Sequence, residues 1–126
     1  MIIFPAIDLR GGKCVRLFKG DFSRETIFSD NPSAVAVKWQ EMGAQYLHVV
    51  DLDGALHGET KNRAAIRSIL GAVHIPVELG GGLRSMENIE GALSAGIQRV
   101  ILGSAAVEDP SLVKEACQRF GDRIVV

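Results

Sequence analysis

Residues 76–104, PVELGGGLRSMENIEGALSAGIQRVILGS, decide the predicted fold. This segment begins with a short apolar stretch at residues 76–79 and ends with another at residues 99–102. The positions between them that follow the three- and four-residue spacing of one helix face are Ile89, Ala92, Leu93 and Gly96. The segment therefore predicts a strand, a helix and a second strand parallel to the first.

The same strand-then-helix unit occurs four times along the chain. The other predicted strands are residues 2–7 and 46–50, and residues 124–126 begin a fifth. Asn31 and Asp109 are each followed by proline, which predicts helix starts because a side-chain acceptor caps the helix and proline fits its first turn. The glycines predicted to end helices are Gly43, Gly96 and Gly121.

Alternating strands and helices predict a parallel sheet whose right-handed crossovers bring the functional loops to the carboxyl ends of the strands. A complete (βα)8 or TIM barrel takes about 250 residues, whereas this chain has 126. We therefore predict an α/β fold with a single domain over residues 1–126. It is the (βα)4 half of a TIM barrel plus the start of a fifth strand, and the alternative is an open five-stranded, flavodoxin-like sheet.

A half-barrel leaves two strand edges unpaired and one face of its sheet uncovered. These features predict either a homo-oligomer or a complex with a complementary C-terminal half-barrel.

Composition argues against several classes of function. With 14 basic and 15 acidic residues and a net charge of −1, the chain has no positive excess to bind nucleic acid or an anionic membrane. Its apolar runs are far shorter than the roughly 20 residues of a membrane-spanning helix, and it begins without a signal-type segment. We expect a cytoplasmic protein that binds neither nucleic acid nor membrane.

The two cysteines, Cys14 and Cys117, are far apart in sequence and lack the spacing of metal ligands. They predict neither a disulfide framework nor a zinc site. The helical pattern around Cys117 predicts core packing for that residue.

Residues 10–29 form a long connection between the first strand and the first helix, and Val15, Leu17 and residues 26–28 predict a small hairpin within it. Long connections over an active face often act as lids. Its basic residues are Arg10, Lys13, Arg16, Lys19 and Arg24. They are either solvated loop charges or part of a lid that closes over an anionic substrate.

Two aspartates follow predicted strands. Asp8 ends the first strand, where a carboxylate is well placed for proton transfer, and the alternative is a capping or bracing role. Asp51 ends the second strand and is predicted to point into the same rim. There it orients the substrate or tunes Asp8, or else makes a structural hydrogen bond to the next loop.

Glycines follow the third and fourth strands. Gly81 and Gly82 lie between the third strand and its helix, and Gly103 with Ser104 repeats the arrangement. Because glycine lets backbone N–H groups approach an anion closely, two neighbouring glycine tips predict a phosphate-binding site. The alternative is that these glycines only permit tight turns. Arg84 either clamps the substrate or is an outward loop charge.

Three other polar residues lie within predicted strands. His48 is assigned a role in stability, and Glu78 and Arg99 are predicted to form an ion pair inside or beneath the sheet. None of the three is predicted to take part in chemistry.

Four motifs carry a resemblance to a known family: PAIDLRGG at 5–12, VDLDGA at 50–55, GGGLRS at 80–85 and LGSAA at 102–106. In this order they resemble the N-terminal half of phosphoribosylformimino-5-aminoimidazole carboxamide ribotide isomerase, a (βα)8 barrel of histidine biosynthesis. The resemblance covers the whole chain. The cyclase subunit of imidazole glycerol phosphate synthase shares the half-barrel pattern and the first aspartate, but AIDLRGG at 6–12 is more similar to the isomerase.

The resemblance implies an Amadori rearrangement of an aminoaldose to an aminoketose without a metal or organic cofactor. Its substrate is a phosphorylated, sugar-nucleotide-like small molecule with two phosphates. Asp8 matches the general base of the family, and Gly82, Gly103 and Ser104 match one phosphate site. The general acid of the family follows the fifth strand, where this chain ends.

Two hypotheses follow for the chain by itself. The first is the N-terminal half of the isomerase, weak or inactive alone. The second is a non-catalytic, phosphate-binding half-barrel that associates with itself.

Overall fold

A seven-stranded sheet forms the centre of the computed structural model, which describes residues 1–58 and 60–126. Its strands are β1 (Ala6–Arg10), β2 (Lys13–Phe18), β3 (Asp21–Ser29), β4 (Leu47–Asp51), β5 (Val77–Gly80), β6 (Arg99–Ile101) and β7 (Ile124–Val125). Their order is β3-β2-β1-β4-β5-β6-β7. Strands β1, β4, β5, β6 and β7 pair in parallel, and β2 and β3 add an antiparallel hairpin at the β1 edge.

Six α-helices accompany the sheet in the described part of the chain: α1 (Pro32–Glu41), α2 (Leu52–His57), α3 (Arg63–Ala72), α4 (Met86–Ala95), α5 (Ser104–Glu108) and α6 (Pro110–Phe120). The predicted caps are confirmed, because the side chains of Asn31 and Asp109 accept backbone N–H bonds at the starts of α1 and α6. Gly96 ends α4 with a left-handed φ of 113°. No helix in the same residues is long and apolar enough to cross a membrane.

The four longer helices, α1, α3, α4 and α6, pack on one face of the sheet. Residues of that face in the strands, and Leu102 directly after β6, are fully or almost fully buried: Ile7, Leu9, Leu47, Val49, Val77, Leu79, Val100 and Leu102. Their helix partners in the same core are Ala36, Ala65, Ile66, Ile69, Ile89, Leu93, Leu112 and Ala116. Since side chains alternate along a strand, the intervening residues lie on the opposite face, which we call the open face.

The order of the parallel strands decides between the two predicted architectures. A flavodoxin-like sheet places its first strand inside the sheet, in the order 2-1-3-4-5. Here the five parallel strands are neighbours in chain order, and their long helices share one face. The structure is therefore the predicted half of a (βα)8 barrel, and the flavodoxin-like alternative is wrong.

Two predicted positions need correction. The first strand begins at Ala6, not at residue 2, because β2 and β4 supply pairing partners only for Ala6–Arg10. The side chains of Ile2 and Ile3 are 59% and 71% exposed as a result. Cys117 is exposed although its helix was predicted to bury it, since α6 turns Ala116 toward the core instead.

The predicted hairpin in the long connection is confirmed and is larger than expected. Strand β3 runs from Asp21 to Ser29 and pairs with β2 through irregular register. Arg10 braces it by donating from Nη1 to the carbonyl of Phe22 at 2.8 Å and to Oε2 of Glu25 at 2.7 Å. The guanidinium of Arg10 therefore binds β3 of the hairpin.

Candidate active site

Asp8 lies on the open face, at the carboxyl end of the parallel strands. Its neighbours in β1, Ile7 and Leu9, are fully buried beneath the helices. Asp8 pairs in register with Val50 of β4. The same row continues across the sheet through Gly80 and Ile101, so the first-strand carboxylate shares one row with the tips of the next three strands.

A cleft of about 310 Å³ opens over the carboxyl ends of β4, β5 and β6. Its floor includes the neighbours of Asp8 in the row, namely Val50, Gly80 and Ile101. Five predicted binding residues line the same cleft: Gly81, Gly82, Arg84, Gly103 and Ser104. We call this space the rim cleft. The structure thus brings the glycine tips together beside the row that contains Asp8.

The environment of Asp8 suits a proton acceptor. Burial raises the pKa of its carboxyl group above the ordinary value of 3.8, and the charges of His48 and Arg16 oppose the increase. A general base works best when its pKa lies closer to the working pH than that of an exposed carboxylate. The role of Asp8 as the general base, which the family resemblance implies, stays a prediction; its place on the open face and its raised pKa support it.

Gly81 and Gly82 are required by close packing as well as by their backbone conformation. Their φ angles are 105° and 75°, in the left-handed region that favours glycine. A Cβ at Gly81 would overlap the backbone carbonyl of Asp51, and a Cβ at Gly82 would overlap that of Gly54. The tight-turn interpretation thus accounts for both glycines without a ligand.

Gly103 differs from these two glycines. Its φ is −92°, and a Cβ added there would meet no described atom within 4 Å. Both Gly103 and Ser104 are exposed at the mouth of the rim cleft. Packing therefore does not demand glycine at this tip, and phosphate binding stays a prediction for it.

Asp51 does not point into the rim. It pairs with Leu9, so its side chain lies on the helix-facing side of the sheet, and it is only 2% exposed. Its Oδ1 accepts the backbone N–H of Gly54 at 2.9 Å and an Nδ2–H of Asn62 at 2.7 Å. The structure favours the structural hydrogen bond over direct contact with substrate.

Asn62 is the centre of a buried polar network that the sequence did not predict. Its Nδ2 donates to Asp51 and also to Oδ2 of Asp53, at 2.9 Å. Its Oδ1 accepts the N–H of Gly12 at 2.8 Å, and the N–H of Gly11 donates to Asp53 at 2.8 Å. The network therefore ties the turn between β1 and β2 to the end of β4. In sequence, Asn62 shows only the residue type of an ordinary helix cap.

Arg84 is exposed and extends across the turn after β4. Its Nη2 donates to the carbonyl of Ala55 at 3.2 Å, while its backbone N–H donates to Oδ1 of Asn88 at 3.3 Å. Since one guanidinium edge already contacts protein, a clamp on the substrate remains a prediction for this residue.

The predicted ion pair between Glu78 and Arg99 is confirmed, with Arg99 Nη2 2.9 Å from Glu78 Oε2. His48 joins it through Nδ1, which is 2.8 Å from Glu78 Oε1. The side chain of His48 also borders the rim cleft. Its position within a strand indicated stability alone, and only the folded sheet shows that it reaches the candidate site.

The family model for "Histidine biosynthesis protein" matches residues 2–126. The chain belongs to the histidine biosynthesis protein family. This confirms the family resemblance and agrees with the half-barrel architecture.

Curated relatives in the family match the whole chain or nearly all of it. A Trichlorobacter lovleyi protein is 58% identical over 126 residues, and a Geobacter sulfurreducens protein is 56% identical over 126 residues. A protein of Dehalococcoides mccartyi strain CBDB1 is 55% identical over 124 residues, or 98% of this chain. Each is named 1-(5-phosphoribosyl)-5-((5-phosphoribosylamino)methylideneamino) imidazole-4-carboxamide isomerase.

The chain spans about half the length of the curated relatives it matches. It covers 51% of the Trichlorobacter and Dehalococcoides proteins and 52% of the Geobacter protein. The relatives are therefore about as long as a complete (βα)8 barrel, and the described sheet corresponds to half of one.

Proposed function

We propose that this chain is the N-terminal half of an isomerase that performs an Amadori rearrangement in histidine biosynthesis. The observation that carries the proposal is the placement of Asp8 on the open face, in register with Val50, which lines the rim cleft. The names of the full-length relatives support the same reaction rather than the cyclase reaction. The substrate is a phosphorylated, sugar-nucleotide-like molecule.

Asp8 acts as the base in this proposal. Once the sugar ring has opened to a protonated imine, the carboxylate accepts the proton from the second carbon of the sugar. The electrons of that C–H bond form the new double bond between the first and second carbons, and the imine nitrogen becomes neutral. Tautomerisation of the resulting enaminol yields the aminoketose. Asp8 is partly shielded from water and its pKa is raised, which suits removal of the proton from the second carbon.

The rim cleft supplies binding energy and orientation. Gly103 and Ser104, which are both exposed at the cleft, bind one substrate phosphate through backbone N–H groups and the serine hydroxyl. The proton donor for ring opening and the second phosphate site come from a complementary C-terminal half-barrel. Because both are needed for turnover, the chain alone is expected to be weak or inactive.

Complementation tests this function. We expect the chain, mixed with the C-terminal half of a relative, to give isomerase turnover at least 100-fold above that of either half alone, because each half lacks groups held by the other. The measurement is product formation from the relatives' substrate, followed by absorbance. A mixture that forms a complex of two halves but shows no turnover contradicts the proposal.

The uncovered sheet favours a second candidate, a phosphate-binding half-barrel that pairs with a copy of itself. Strand β7 is an edge strand of the sheet. Exposed apolar side chains precede β1, lie on the hairpin of β2 and β3, and follow β7: Ile2, Ile3, Phe18, Ile27, Phe28 and Val126. Edge strands with apolar surroundings promote association.

For the second candidate we expect a dimer or larger assembly by light scattering, without any partner half. A mass that stays monomeric on dilution and on concentration would remove it. Binding of ribose 5-phosphate without turnover in any mixture would favour it over the isomerase half.

A further inference from the structure

Glu78 lies at the centre of a row of polar side chains on the open face. The register places His48 of β4 beside Glu78 of β5, and Glu78 beside Arg99 of β6. Each carboxylate oxygen has its own partner, His48 Nδ1 at 2.8 Å and Arg99 Nη2 at 2.9 Å. The Glu78 side chain is only 10% exposed, whereas its partners His48 and Arg99 are 30% and 32% exposed, so the carboxylate is buried between two partly exposed groups.

Arg99 is held from its other side by two stacked rings. Its guanidinium lies 4.7 Å from the ring centre of Tyr46 and 5.6 Å from that of Phe4. The two rings stack on each other with centres 4.5 Å apart. A cation held between a carboxylate and aromatic faces has little freedom to move, so Arg99 in turn restricts the position of Glu78.

The contact with Glu78 decides which nitrogen of the His48 imidazole carries the proton. An ionised carboxylate can only accept hydrogen bonds, so the Nδ1 of His48 carries the proton that points at Glu78. In the neutral ring the other nitrogen, Nε2, is then an acceptor. The ring borders the rim cleft and lies one row below Asp8 and Val50. Nε2 is therefore suited to a donor such as a sugar hydroxyl.

We propose that Glu78 and Arg99 are positioning residues that hold His48 with Nδ1 protonated, so that its Nε2 accepts a hydrogen bond from a hydroxyl of a phosphorylated sugar in the rim cleft. The choice of sugar phosphate rests on the proposed function above. The register places His48 one open-face row away from Asp8, and His48 lines the same cleft as Val50, the partner of Asp8. If Glu78 and Arg99 only stabilised the sheet, the position of the proton on the His48 ring would not matter.

Nitrogen-15 NMR of the histidine-labelled chain tests the orientation without any need for turnover. We expect the neutral His48 ring to carry its proton on Nδ1, and the Nε2 signal to shift when ribose 5-phosphate is added. In Glu78→Gln, the new amide can donate to Nδ1, so the proton should move to Nε2. The sugar-dependent shift of Nε2 should then disappear, with binding weaker by about 2- to 10-fold.

A second variant and a control keep the test decisive. Arg99→Met retains the Glu78 carboxylate but removes its second partner. The His48 ring signals should then broaden or show a mixture of the two tautomers. Glu115→Gln makes the same chemical change on an exposed helix position and should leave both ring signals unchanged. The backbone spectrum of each variant shows whether the sheet has folded.

The outcomes separate this inference from the proposed function. A proton on Nε2 of His48 in the unmodified chain overturns the inference. So does an Nε2 signal that does not shift when ribose 5-phosphate is added. If ribose 5-phosphate shifts the Nε2 signal of His48 but not the backbone amide signals of Gly103 and Ser104, the inference holds and the proposed phosphate site is wrong.

Discussion

Replacing Asp8 with Asn is expected to abolish the isomerase turnover of the paired half-barrels. The amide cannot accept the proton from the second carbon of the sugar, and loss of a positioned acid–base group commonly lowers the rate by about 10²- to 10⁴-fold. The measurement is the turnover number of the mixture at saturating substrate. Asp30→Asn, the same change on an exposed residue before α1, should retain full turnover. Unchanged turnover in Asp8→Asn would assign the base to another group.

The stability of the same variant separates a catalytic role from a structural one. Because burial raises the pKa of Asp8 in the folded chain, the charged form is disfavoured there. The contribution of Asp8 to stability is therefore fully present below its ordinary pKa of 3.8 and is lost as the pH rises through the folded value. We expect Asp8→Asn to unfold in urea at or above the wild-type midpoint at pH 7. A lower midpoint would indicate that the carboxylate braces the fold.

Asn62→Ala is expected to cause the largest loss of stability among single side-chain changes in the buried network. It removes both donors that Asn62 supplies to the carboxylates of Asp51 and Asp53, and it leaves the N–H of Gly12 without its acceptor. Buried polar groups left unsatisfied cost about 1–3 kcal/mol each, and more when charged. The free energy of unfolding should therefore fall by about 3 kcal/mol or more. Urea unfolding followed by circular dichroism measures it.

A matched control and a pH series sharpen this prediction. Asn88→Ala changes the same residue type at an exposed position and should cost less than about 1 kcal/mol. Burial works to raise the pKa of Asp53, but hydrogen bonds from Gly11 and Asn62 hold it below 3.8. That contribution to stability is present above pH 3.8 and is lost as the pH falls through the folded value. Asn62→Ala should weaken this acid dependence, and an undiminished dependence would show that Gly11 and the nearby charges of Lys61 and Arg10 account for it without Asn62.

The regular elements were predictable where local signals are strong. Helix α4 has an apolar stripe and a terminal glycine, Gly96, and its predicted end is confirmed. Helices α2 and α5 were missed because each has at most six residues, too few to show a periodic pattern. The first strand was placed too early because the apolar residues at 2–5 look like a strand although no neighbouring strand pairs with them along their length.

In the candidate site, too, some positions were predictable from local sequence and others were not. The location of Asp8, Gly81 and Gly103 at one edge of the sheet was predictable, because residues that follow parallel strands meet at the carboxyl ends of those strands. The misplacement of Asp51 has a simple cause. It lies one residue further along its strand than the residue paired with Asp8, so the alternation of side chains turns it to the helix-facing side.

The sequence by itself determined the type and order of the main elements, the rim at which chemistry is expected and the family, because these depend on local patterns and on motifs of contiguous residues. Only the tertiary structure decided which face each polar residue occupies and which distant residues it contacts. His48, Glu78 and Arg99 become neighbours through strand register, and Asn62 meets Gly12 across 50 positions of chain. Such partners are set by the packing of the whole sheet, and a local pattern carries no information about them.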